Sequence, residues 1–535
     1  MALIAPGALM WTTFQLQAPA SSAMNMWASV ALATVITLLT ASCFATLARA
    51  YPQGGAGSSY FFSEIAIINK EEHKHYRLAR IAKFLTGWSA LLYYWVYTGV
   101  AVGFMGTLLV YIGQLFNPNF AKDSFTQILI CAVFTIIVAS IAFMGVTGST
   151  FVNIIINILQ ISSLVVVSLM MIAYRFGHPN LKYSHESAIS VLLPHDLSGL
   201  VFQSTIAIVL LVGFESATAF AAEAINPRRD IPKAVILSLF IQACICYFFE
   251  YFATNFFISD VYRGIINKAG DSASFVPIDG KINDFAEAIK AAGVKGSDYV
   301  GGKIVTGFDA AAASGAPIGD MVKILGDSIH NGLGFWFVFL LSLTVLLALL
   351  GSTLSALSTG VRLSYAMGED RELPGIFGKI HETTRTPYIG IIILTIVAAA
   401  LGGYGVLNVN NLTQITLISN IGTFMFYGIT CLVTLVARLD HLLDSEAESH
   451  PIRTIFIPII GALMNFLMMV GLFYFGFTSG GDSAKNAQIA IIASVAFYIA
   501  GFAYFIGNSL SRGRVIFLPQ DIDHPLRNDS PETRR

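Results

Sequence analysis

Charge is what this sequence has least of. Asp, Glu, Lys and Arg make up 12% of its 535 residues, about half the share of an ordinary soluble domain, so most of the chain has no water to face. The net charge is −1, which leaves nucleic acid and acidic polymers without support as partners. Cysteine is scarce too. Cys43, Cys131, Cys244, Cys246 and Cys431 all sit inside apolar runs, and Cys244-Ile245-Cys246 has neither the spacing nor the histidines of a zinc site. His73 and His75 stand two apart, on different faces of a helix, so no metal is expected there. No Ser/His/Asp grouping or phosphate-cradling loop lies near a membrane face, so no enzyme is expected. The filter-like repeat of a channel is also missing, as is a basic leader ahead of a cleavage site.

Apolar residues are what the chain has in abundance: 55% of the sequence, with a mean hydropathy of +0.69. Twelve segments are long enough to cross about 30 Å of hydrocarbon. They cover about 2–18, 24–48, 84–116, 124–146, 150–176, 200–222, 234–258, 333–366, 387–404, 411–437, 454–478 and 486–509. The expected fold class is therefore an all-α integral membrane protein, a single transmembrane domain over 1–509. Arg49, Lys70, Lys74, Arg77, Arg80 and Lys83 lie between spans two and three, Arg228, Arg229 and Lys233 after span six, and Arg371, Lys379 and Arg385 after span eight. The opposite short loops hold only Lys122, Arg175, Lys182 and Lys485. Cations favour the cytoplasmic side, so both termini are expected there, in the plasma membrane, with 510–535 as a polar cytoplasmic tail. Residues 259–332 form the one long polar stretch, placed outside, and about 262–312 read as an insertion acting as a lid or a decoration.

The informative stretch is Val209 to Ala234. Its apolar run is interrupted by Gly213 and then by Glu215. A carboxylate at bilayer depth costs about 2.5–3.5 kcal/mol and marks a substrate or proton path by default. Gly213 tolerates dihedrals that other residues avoid, and broken helices at mid-membrane are where transporters expose backbone to cargo. The run stops at Asn226-Pro227-Arg228-Arg229-Asp230-Ile231-Pro232-Lys233, two helix-stopping prolines among three cations.

Gly213-Phe214-Glu215-Ser216-Ala217, followed by Glu223 and by Asn226, Pro227, Arg229, Ile231 and Pro232, resembles the sixth helix of the amino acid–polyamine–organocation family of permeases. Three further stretches match the same family: Tyr51-Pro52 with Gly54-Gly55 and Tyr60, then Gly145-Val146 with Ser149, then Arg362 with Tyr365-Ala366-Met367-Gly368, Asp370, Leu373 and Pro374. The resemblance implies the LeuT-type fold: twelve transmembrane helices, a 5+5 inverted-repeat core with helices one and six broken, and two flanking helices. Ala5-Pro6-Gly7-Ala8 then stands where the first helix breaks, and that helix's inner half would precede Met1. The implied substrate-binding residues are Ala5, Pro6, Gly7, Ala8, Tyr94, Val209, Val212, Gly213, Phe214 and Glu215.

The implied activity is secondary active transport of an amino acid or related amine by alternating access. A polyamine or inorganic-cation carrier of the same fold, or a transporter-like nutrient sensor, stands beside it. No cofactor is implied beyond proton or sodium coupling. Glu215 is one candidate for that coupling, or else a structural acceptor for unwound backbone. Ser352, Thr353 and Ser355 form the other candidate, with a possible sodium at Ser352 and Ser355, though such hydroxyls often bond their own helix. Some relatives place a lysine fifteen residues past Gly145, where this chain has the uncharged Gln160. The partners expected are thus a small-molecule substrate and the lipid bilayer.

Overall fold

A computed structural model describes residues 6–18, 23–52, 58–67, 76–117, 120–144, 150–177, 190–259, 261–268, 275–278, 282–440, 443 and 450–511. Among them, eleven helices are long and apolar enough to cross a membrane. The helices are α1 (Pro6–Gln17), α2 (Met26–Ala50), α3 (Ser58–Ile65), α4 (Tyr76–Phe116), α5 (Ser124–Phe143), α6 (Thr150–Gly177), α7 (Leu197–Ala207) and α8 (Pro227–Ile258). They continue as α9 (Phe285–Ala292), α10 (Gly307–Ala313), α11 (Pro317–Ile329), α12 (Leu333–Glu369), α13 (Tyr388–Val406), α14 (Val409–Leu439), α15 (Ile457–Thr478) and α16 (Gly481–Ser511). The twelfth expected span falls on α1, whose described residues reach only about 18 Å at 1.5 Å per residue. That leaves eleven.

Local chemistry sets the helix ends. Asp123, Asp196 and Asp284 each accept a backbone N–H from the first turn of the helix that follows, supplying partners that a helix start lacks. Pro227 opens α8 at a position that needs no N–H. The middle of the bundle is α2, α4, α14 and the 197–218 stretch, all largely buried, whereas α5 and α6 turn most of their apolar side chains outward. Polar side chains join helices in the interior: Asn465 donates to Thr40 at 3.0 Å, and Gln414 to Asn486 at 2.9 Å. The helices α4 and α14 approach closely at Gly422, where a methyl group would sit 2.8 Å from the Tyr93 nitrogen and 2.9 Å from the Ser89 carbonyl.

The chain is mostly helical, with one departure from the all-α expectation. Strands β1 (Arg263–Ile266), β2 (Val276–Ile278) and β3 (Lys303–Thr306) form an antiparallel sheet in the order β2-β1-β3. Its outer face has a small core of its own around Ile265, Ala288 and Tyr299. The inner face, with Tyr262, Ile266, Val305 and Ala310, joins the main core. Asp320 on α11 fastens this layer, accepting from Tyr262 at 2.6 Å and from Ser314 at 2.7 Å. Burial pushes its carboxyl above the usual range, against those hydroxyls, which pull it down.

At one end of the bundle Lys83 pairs with Glu64 of α3 and with Asp370 beyond α12, both at 2.6 Å. Its ammonium lies 4.8 Å from the centre of the Tyr60 ring. The neighbouring Glu372 is buried, and that burial pushes its carboxyl up to about 7, against the pull of Arg80 and Lys83.

Candidate substrate site

The helix that begins at Leu197 does not run through. Regular α-helix stops at Ala207, Ile208–Leu210 tightens into a 3₁₀ turn, and a second 3₁₀ stretch covers Phe214–Glu223. Between them Gly213 takes φ +107°, which a side chain would disfavour. Backbone groups freed at such a break need other partners. Leu211 and Val212 donate to the Ile208 carbonyl, Gln242 of α8 donates to the Leu210 carbonyl, and Ser216 donates to the Gly213 carbonyl at 2.6 Å. Just before the break, Asn420 of α14 donates to the Thr205 carbonyl at 2.6 Å.

Glu215 holds this turn together. Its Oε2 accepts from the Gly213 N–H at 3.0 Å and from the Tyr427 hydroxyl at 2.7 Å, and its Oε1 accepts from the Tyr94 hydroxyl at 3.1 Å. The side chain is 2% exposed. The break is thereby tied to α4 and α14 at once. Phe214 packs on the other side against Phe44 and Tyr427, ring centres 5.9 and 5.4 Å apart. Val209 and Val212 are fully buried within the turn.

The other expected site residues fall as follows. Pro6, Gly7 and Ala8 form the first turn of α1, leaving its opening N–H groups without intrahelical acceptors, and α1 packs against Ile208–Leu210. Ala5 lies outside the described residues, as does Gly145-Val146-Thr147-Gly148-Ser149. Ser352 and Thr353 both donate to the Leu349 carbonyl of their own helix, at 3.1 and 2.6 Å. Ser355 is half-buried on the same helix. No group of three or more His, Cys, Asp or Glu side chains gathers to hold a metal among the described residues. Gln160 is buried and donates to Asn157 at 2.6 Å.

Two residues of the region escaped the sequence reading. Tyr427 lies 212 positions from Glu215, and nothing near it in sequence marks it. Glu250 is fully buried in α8, and neither of its carboxyl oxygens has a hydrogen-bond partner among the described residues. Its position inside Phe248-Phe249-Glu250-Tyr251-Phe252 was a legible signal, a carboxylate in an apolar span.

Eleven membrane-length helices among the described residues, one of which unwinds beside a buried acid, define an integral membrane protein of the permease kind. The family model for amino acid permeases matches residues 9–502. The chain belongs to the amino acid–polyamine–organocation family of permeases. Its relatives include a methylthioribose transporter of Bacillus subtilis, 23% identical over 77% of this chain and 73% of the relative. A branched-chain amino acid permease of the same organism is 22% identical over the same shares. The vacuolar cationic amino acid transporter 4 of Arabidopsis thaliana is 24% identical over 76% of this chain and 56% of its own length. The family and these relatives are transporters rather than enzymes, and this chain is an amino acid transporter of that family.

Proposed function

We propose that this permease works by alternating access, with the unwound turn at Gly213 as the place where cargo meets backbone. The observation that carries the reading is Gly213 itself, buried within the bundle at φ +107°, with its N–H held by the Glu215 carboxyl. N-terminal ends of half-helices attract a carboxylate and carbonyl ends attract an ammonium, so a zwitterionic amino acid suits a pair of facing breaks. The start of α1 supplies the second, because α1 lies against Ile208–Leu210. Counting α1 with the eleven spans gives the LeuT-type arrangement: two inverted repeats, α1 to α6 and α7 to α14, with α15 and α16 flanking. Both termini are placed on the cytoplasmic side of the plasma membrane, where the cations of the short loops gather.

A proton is the coupling ion proposed here, because Glu215, buried at the break and tied to its backbone, is a group that can bind and release one. Ser352 and Thr353, which donate to the Leu349 carbonyl, keep oxygen lone pairs for a cation as the alternative. Glu215 can take that proton in one place. Oε2 faces an N–H that cannot reverse, whereas the Tyr94 hydroxyl opposite Oε1 can turn from donor to acceptor. Glutamine reproduces the protonated form, with its amide oxygen at Oε2 and its NH₂ toward Tyr94. Neither Glu215 nor Glu250 forms a salt bridge among the described residues. That favours, as a second reading, a cationic amino acid or polyamine that supplies the missing positive charge.

The test is uptake of radiolabelled amino acids into proteoliposomes across about pH 5–8, where a proton-coupled acid shapes the profile. Glu215→Gln is expected to keep exchange and to flatten the pH dependence. A normal profile in Glu215→Gln with a flat one in Glu250→Gln would move coupling to α8. Normal profiles in both would end the proton reading.

A further inference from the structure

A pocket opens where the end of α2, the start of α8 and the turn before α15 come together. It measures about 890 Å³ and is lined by Arg49, Arg228, Arg229, Pro232, Lys233, Ile236, Leu237, Phe240 and Arg453. Among the described residues that line it, five of nine are cations and none is an acid. They come from three helix ends: the last turn of α2, the first two turns of α8, and the turn that leads into α15. A general excess of cations on one side of a membrane scatters them among loops. Here they converge on one concavity.

Arg49 and Arg453 make other contacts within the protein, whereas the side chains of Arg228, Arg229 and Lys233 are exposed. Asp230 is exposed on the same first turn of α8 and is not part of the lining. Moving along α8 toward the membrane interior, the lining turns apolar, and Leu237 and Phe240 are more than half exposed. The pocket therefore offers charge at the depth of phosphates and apolar surface at the depth of acyl chains. An inorganic anion needs only the first.

We propose that this pocket binds an anionic phospholipid of the adjoining leaflet, its phosphate held by Arg228, Arg229 and Lys233 and its chains lying along Ile236, Leu237 and Phe240. Basic pockets between transmembrane helices are where such headgroups settle. The site also lies next to the transport machinery, because α8 continues directly from the 3₁₀ stretch that carries Glu215 and packs against it.

Native mass spectrometry of the full chain, purified in detergent, tests this with phosphatidylglycerol and phosphatidylcholine of the same acyl chains. Phosphatidylglycerol is expected to stay bound under delipidation that strips phosphatidylcholine, and to weaken as salt screens the contact. The variant R228Q/R229Q/K233Q is expected to lower phosphatidylglycerol affinity about 10- to 100-fold. If that variant aggregates, Arg228→Gln alone gives the same comparison with a smaller loss. Excess glycerol phosphate, which has the headgroup chemistry without chains, is expected to leave the lipid in place. Its displacing the lipid would reassign the pocket to a soluble anion. Equal retention of the two lipids, or of phosphatidylglycerol by wild type and variant, would overturn the proposal.

Discussion

Tyr427 and Tyr94 differ from Tyr97 in one respect that decides what each hydroxyl does. The first two donate to Glu215 at 2.7 and 3.1 Å, while the buried Tyr97 hydroxyl has no hydrogen-bond partner among the described residues. Tyr427→Phe leaves a buried carboxyl one donor short and is expected to cost about 1–3 kcal/mol of stability. Tyr97→Phe removes an unsatisfied group and is expected to be neutral or slightly stabilising. Melting temperatures of the two variants in detergent check the pair, and equal losses would mean that Tyr427 acts only through packing. At this scale Gly213 and Glu215 were legible because a carboxylate beside glycine stands out in an apolar run. Tyr94 was legible only as a substrate-binding residue implied by the family resemblance, and Tyr427 was not legible at all. Which hydroxyl meets Glu215 is decided by how α4 and α14 pack, and no local pattern encodes that.

The end of α12 shows how an element's terminus becomes pH-sensitive. Glu372 is nearly fully buried beside Lys83 and Arg80, and burial pushes its carboxyl from 4.5 up to about 7. The folded state therefore holds this proton more tightly than the unfolded chain does. Its contribution to stability is complete below about 4.5, its ordinary value, and is lost as pH rises through about 7. The whole effect is on the order of 3 kcal/mol. Glu372→Gln is expected to flatten the fall in melting temperature between about pH 5 and 8; an unchanged slope would show that another group is responsible. The motif Ala366-Met367-Gly368 with Asp370 was visible in sequence, but its partner Lys83 was counted there only among loop cations. Strands β1 to β3 were missed because each is three or four residues long, too short to display alternation. The 3₁₀ stretch from Phe214 was missed because it is set by the break before it and by the donors that meet Glu215.

Across the whole molecule, the polar stretch between α8 and α12 divides between the main core and a small cluster of its own. Ile266, Val305 and Ala310 belong to the main core, whereas the cluster around Ala288 and Tyr299 stands apart. Since β1 pairs directly with β3, Ile266 opposite Lys303, residues 268–301 can give way to a short Gly/Ser turn. That variant is expected to stay monodisperse on size exclusion, at the cost of the Phe275–Tyr262 ring contact. Removing 264–310 is expected to cause aggregation, because it also strips Ile266, Val305 and Ala310 from the core. Aggregation of the 268–301 variant as well would mean that the outer cluster supports the bundle. Membrane class and family were legible from composition and four motifs, whereas the inner face of this layer was not, because its few apolar residues are spread among glycines and charges.

Transport as proposed turns on the unwound backbone at Gly213, and counterflow of radiolabelled amino acids in proteoliposomes tests this most directly. Leucine at this position opposes φ +107° and fills the turn, so Gly213→Leu is expected to reconstitute as a monodisperse protein with no counterflow, beside a wild type that exchanges. Counterflow in Gly213→Leu at the wild-type rate would contradict the account and remove the break from the substrate path.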